Sequence, residues 1–222
     1  GMVGSIAWID SVLSAVRQSW TTGQPGLHLL RRLPTRKSAL WCFLDASRST
    51  GMSRFLNSAR DALAGLAQLS KPARFHLLAL QNGELRWLAR HATRSRFTSA
   101  LLHLKAASGK SLIVEGLRQL DRAKLRAPAS ARDRVIISTD GLATPAPGEG
   151  LDQTRSRLRN ALRRLAAPPT PLAWLYPAAA RGLAMRRAGI FDGLRIDRFG
   201  IGVSSDRSGA VSRAAARHVA AT

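Results

Sequence analysis

A chain of 222 residues that is 45% hydrophobic and 22% charged is long enough to bury one sizeable core, and its composition is that of an ordinary globular protein. Its formal net charge of +22 comes from basic residues, mostly arginine, scattered over nearly every segment, a pattern that reads as solvated faces before it reads as a nucleic-acid track. A lone cysteine, Cys42, excludes an intrachain disulfide framework and a cysteine-based metal cluster, and no apolar run is long enough to span a bilayer, so with no export signal a cytoplasmic location is expected.

Taken in chain order, Ile6, Ile9, Leu13, Val16 and Trp20 recur at helical spacing and predict an amphipathic helix, followed by a basic stretch around Pro34 to Lys37. Ala39 to Leu44 is apolar on both faces, which suits a strand in a sheet covered on both sides. Leu56, Ala59, Leu63, Leu66 and Leu69 step by three and four and predict a helix over 52–69 that Lys71-Pro72 ends. Phe75 to Leu80 is a second strand. Asn82-Gly83 after it marks a tight hairpin into a third, Glu84 to Arg90, in which Leu85, Trp87 and Ala89 are expected to share one face.

Phe97, Leu101 and Leu104 mark a short helix, and Ser108 to Ser111 is a loop into a longer one, Leu112 to Leu125. Arg134 to Ser138 is a β-branched strand, and Gly141 to Gly150 a loop rich in proline and glycine. Leu151 to Leu165 is a helix, with Leu151, Leu158, Leu162 and Leu165 on its inner face and arginines elsewhere. Leu172 to Tyr176, Ala178 to Phe191 and Leu194 to Phe199 complete the pattern as strand, helix and strand. Strands alternating with helices, with one antiparallel hairpin, predict an α/β fold. Its core is an open, Rossmann-like doubly wound sheet of about six strands, mostly parallel with one antiparallel edge strand and with helices on both faces. The expected organisation is an N-terminal helix and basic linker over 1–37, the main domain over 38–203, and a polar tail over 204–222.

Chemistry concentrates in two places. Asp45, Ser47 and Ser49 stand at alternate positions just after the first strand, where a tight loop can turn three oxygens toward one centre, an arrangement that suits a hard divalent cation. Asp140 sits in Ser-Thr-Asp-Gly at the end of the fourth strand. If the strand order reverses between strands one and four, both aspartates flank the crevice where such sheets bind ligands. Each motif has a bland reading as well, because Asp and Ser favour helix caps and Asp-Gly favours turns.

On these residues the chain resembles the von Willebrand factor A (VWA) family, whose metal-ion-dependent adhesion site combines Asp-x-Ser-x-Ser, a threonine on a second loop and an aspartate on a third. Asp45, Ser47 and Ser49 match the first loop and Asp140 the third. Ser111 matches the second, because Ser-Gly-Lys-Ser-Leu-Ile-Val-Glu-Gly-Leu is similar to the Gly-Gly-Gly-Thr-Pro-Leu pattern of the D subunit of magnesium and cobalt chelatases. The resemblance to that branch runs from about Ile6 to Gly200. It implies a Mg2+ (or Mn2+) site completed by an acidic side chain of a partner, namely an AAA+ ATPase. A chelatase catalytic subunit is a further partner it implies. The task implied is metal insertion into a tetrapyrrole, in which the chain grips rather than catalyses.

Other classes find less support. The five histidines show no metal-ligand spacing. Ser108 to Ser111 lacks the upstream glycine and the preceding strand of a phosphate loop. A phosphatase built on Asp45 needs a carboxylate where Ser47 stands, and no general base is evident for a hydrolase. A basic nucleic-acid-binding domain is the alternative that the charge keeps open.

Overall fold

The computed structural model describes residues 38–52, 55–69, 74–127, 133–167, 170–177 and 190–201. The expected N-terminal helix, most of the helix over 178–191 and the polar tail lie outside the described residues.

Six strands form one sheet: β1 (Ala39–Asp45), β2 (Arg74–Gln81), β3 (Glu84–Ala92), β4 (Arg134–Ser138), β5 (Leu172–Pro177) and β6 (Ile196–Ile201). Their order is β3-β2-β1-β4-β5-β6, with every neighbouring pair parallel except β2 and β3. Chain order therefore reverses at β1 and β4, and the carboxyl ends of these two strands open on the same crevice. Among the described residues five helices accompany the sheet: α1 (Arg48–Met52), α2 (Phe55–Leu69), α3 (Arg94–His103), α4 (Ile113–Arg126) and α5 (Leu151–Leu165).

The two-faced apolar strands explain the layering. Leu40, Cys42 and Leu44 of β1 pack on one side with Phe55, Ala59 and Leu63 of α2 and with Phe97 and Leu101 of α3. Trp41 and Phe43 point the other way, into a core shared with Ile113, Leu117 and Leu120 of α4 and Leu158 and Leu162 of α5. Each of these fully buried large side chains contributes about 1.5–3 kcal/mol of transfer free energy. The approach of α4 to β1 is close. A Cβ placed on Gly116 would stand 2.3 Å from the Phe43 ring, so only glycine fits at this crossing. Burial of Cys42 pushes its thiol pKa up and leaves the sulfur a packing group.

The hairpin is built as its sequence indicates. Asn82 and Gly83 both take positive φ, 54° and 72°, as a type I′ turn requires. The β3 face is a correction. Register shifts between Leu77 and Leu78 and between Phe75 and Leu77 put extra residues into β3. Leu85 and Trp87 therefore join the α4 side of the sheet, whereas Ala89 turns to the α2 side. Three smaller corrections concern ends. Helix begins at Arg48 rather than Met52, Leu151 is exposed at the first residue of α5, and β6 starts at Ile196.

Candidate functional site: a carboxylate and hydroxyl crevice at the ends of β1 and β4

Asp45 is the last residue of β1 and is fully buried. Its Oδ1 accepts the backbone N–H of Ser47 at 2.9 Å, which folds the loop back over the strand end. Thr50 fixes the other side of this loop by donating its hydroxyl to the carbonyls of Asp45 and Ser47, at 2.9 and 2.8 Å. The Ser47 and Ser49 hydroxyls lie 3.1 Å apart and hydrogen-bond each other, so alternate residues do converge. Arg48, between them, faces solvent.

Asp140 follows β4 by two residues and is buried. Its Oδ1 accepts the backbone N–H of Leu142 at 3.1 Å, while Oδ2 is buried with no hydrogen-bond partner. Ser111 lies on the loop before α4. Its backbone N–H donates to Thr144 Oγ1 and its carbonyl accepts the Thr144 N–H, both at 2.9 Å, so the second loop is laced to the third. The Ser111 hydroxyl is also buried and unpartnered. A bridge between Ser47 and Ala107, with the Ala107 N–H donating to the Ala46 carbonyl, ties the second loop to the first. The three segments named from sequence thus form one hydrogen-bonded rim.

Thr139 was missed in the sequence reading. Its hydroxyl donates to Asp45 Oδ2 at 2.7 Å and accepts the Gly141 N–H at 3.0 Å, which bolts the two strand ends together. Its only sequence signal is its place between Ser138 and Asp140. Glu149 and Arg157 were missed as well. Glu149 accepts the Ala146 N–H and an Arg157 N–H, and Arg157 also donates to Glu115 of α4, so the loop carrying Asp140 is clasped to both helices beside it. The Ala146 N–H and Arg157 hold the Glu149 pKa below its ordinary value.

Burial raises the Asp45 pKa, the hydrogen bonds from Thr139 and Ser47 lower it, and the Asp140 charge raises it again. That last effect requires the two aspartates to be near neighbours. Two carboxylates and three hydroxyls make an all-oxygen set whose chemistry would fit a hard cation, and Ser111 Oγ and Asp140 Oδ2 are buried oxygens without a hydrogen-bond partner. Among the described residues no group of three or more His, Cys, Asp and Glu side chains gathers to hold a metal, and this crevice brings only two carboxylates together. No helix among them is long and apolar enough to cross a membrane.

No protein-family model matches the sequence, and no curated protein matches it. Solved structures do match the fold. The conserved hypothetical protein BatB from Bacteroides thetaiotaomicron aligns over 83% of this chain and 96% of its own, with a TM-score of 0.53 and 12% identity. The VWA domain of SpRpn10 aligns over 76% of this chain and 90% of its own, with a TM-score of 0.53 and 11% identity. Together with the strand order, these likenesses identify the architecture as the VWA fold.

Proposed function

We propose that this VWA-fold chain is a Mg2+-dependent protein-interaction module in which Asp45, Ser47, Ser49, Ser111 and Asp140 hold the ion, directly or through water. One observation carries the reading: on the two loops tied to the one that follows Asp45, Asp140 Oδ2 and Ser111 Oγ are buried with no hydrogen-bond partner. Leaving a buried polar atom unpaired costs about 1–3 kcal/mol, a penalty that a bound cation removes. When bound, the ion supplies a Lewis-acidic position for an incoming carboxylate. The chain's own part is to orient the oxygens, exclude water from the inner side, and lend positive potential through Arg48 and Lys110.

The partner we assign is an AAA+ ATPase that offers a Glu or Asp side chain to the ion, in a chelatase-like complex that inserts metal into a tetrapyrrole. Support for this finer assignment is the residue match from Asp45 to Ser49, at Ser111 and at Asp140 described above. ATP hydrolysis belongs to the partner, and no catalytic role falls to this chain.

Calorimetric titration with Mg2+ and capture of the ATPase test the proposal together. Wild-type protein is expected to bind the ion and to retain the ATPase until chelator is added. Asp45→Ala should lose both while keeping its circular dichroism spectrum. Retention of the ATPase by Asp45→Ala in chelator would overturn the adhesion mechanism.

A further inference from the structure

Helix α4 buries Ile113, Val114, Leu117 and Leu120 and turns its opposite face to solvent. On that outer face Arg118, Arg122 and Arg126 are exposed and recur every four residues. Leu125, 69% exposed, lies three residues from Arg122. Four residues advance about 6 Å along a helix and set side chains above one another, so the guanidiniums form a ladder about 12 Å long. Like charges at this spacing repel and weaken a helix.

Many arginines elsewhere have partners, above all those of the neighbouring α5. Arg157 bonds Glu115 and Glu149, Arg155 bonds Asp152, Arg164 bonds Asp121 and Arg86 bonds Glu84. On α5, Arg159 and Arg163 reach the Asp192 carbonyl and Asn160 Oδ1. The acids of α4 itself, Glu115 and Asp121, are therefore taken up by α5. Arg118, Arg122 and Arg126 have no ion pair or hydrogen-bond partner among the described residues.

We propose that the outer face of α4 is a docking strip for an acidic helix of a partner protein, with carboxylates four residues apart and an apolar side chain that covers Leu125. A helix presents anions at the same step of about 6 Å, so each guanidinium meets one carboxylate and the repulsion along the ladder is relieved. An exposed leucine among the arginines suits a protein surface. Single-stranded nucleic acid needs flat rings on which to stack bases, and α4 contains no aromatic residue. The strip starts about two helical turns beyond Ser111 and requires no cation, so it stands or falls independently of the proposed adhesion site.

The test titrates the full chain, in chelator, with a fluorescent synthetic peptide helix bearing glutamates every four residues beside leucines, and with a scrambled peptide of the same composition. The patterned peptide is expected to bind about tenfold more tightly than the scrambled one, with affinity that falls as salt rises. The triple change Arg118→Gln, Arg122→Gln and Arg126→Gln should erase that difference while leaving the unfolding midpoint in place. Equal binding of the two peptides overturns the proposal, and so does a triple variant that still discriminates between them. Preferential binding of a single-stranded oligonucleotide that the same triple change weakens also overturns it and assigns the strip to nucleic acid.

Discussion

The hydroxyl of Thr139 donates to Oδ2 of Asp45 at 2.7 Å, across the junction of two adjacent parallel strands and 94 residues of chain. The Asp45 carboxyl group is fully buried, and this bond and the one from the Ser47 N–H hold its two oxygens in place. The same hydroxyl accepts from Gly141, so a single oxygen sets the spacing between the first and third loops.

Thr139→Val keeps the shape and removes that oxygen. It leaves one carboxylate lone pair and one backbone N–H without their partner, and the expected loss of stability is about 1–3 kcal/mol. Thr139→Ser should recover most of it. Urea unfolding of the two variants is the measurement, and a valine variant within about 0.5 kcal/mol of wild type would contradict this account of the junction.

Gly109 predicts a local defect rather than a global one. It holds φ at 142°, and a Cβ there would stand 2.2 Å from the backbone nitrogen of Gly83, so the loop before α4 lies backbone to backbone on the hairpin turn. Gly109→Ala should therefore displace Ser111 and lower Mg2+ affinity at least about tenfold, measured by calorimetry. Gly148 is the control. Its φ is also positive, at 76°, but a Cβ there meets nothing within 4 Å. Gly148→Ala should lower stability by about 1 kcal/mol and leave ion binding alone.

His76 predicts a pH dependence. It stacks on Trp41 with ring centroids 3.7 Å apart and meets the edge of His91 at 4.6 Å. Burial first, then His91, Arg90 and Arg74, lower its pKa from 6.5 to about 4. The folded protein thus binds fewer protons than the unfolded chain between these values, and the group's contribution is fully present above pH 6.5 and lost as pH falls through about 4. His76→Phe keeps a flat ring on Trp41 and removes the titration. Chemical denaturation across that window should give a flatter stability profile for the phenylalanine variant than for wild type, and parallel profiles would contradict the assignment.

Much of the fold was legible in the residues. Two-sided apolar strands such as Ala39 to Leu44 and three-and-four stepping such as Leu56 to Leu69 report burial directly, and Asn82-Gly83 reports a turn whose φ values few other pairs tolerate. The β3 register was not legible, because an extra residue in a strand depends on how it pairs with β2, and the alternation of Leu85, Trp87 and Ala89 looks regular until it is paired. At the site, Asp45, Ser47 and Ser49 announce themselves by spacing within one loop. Thr139, Thr144 and Arg157 act across long separations, so their roles emerge only when the sheet order brings β1, β4 and the loops of α4 and α5 together.

The irregular pairing of β3 reaches beyond its own register. As the outermost strand on its side of the sheet, it offers backbone groups that another chain's strand would extend. Its two register breaks, with the exposed Arg86 and Arg90 along it, interrupt the even row of donors and acceptors on which such an addition depends. The margin is thereby guarded against end-on growth into fibrous assemblies, an outcome to which a smooth, uncharged edge would be open.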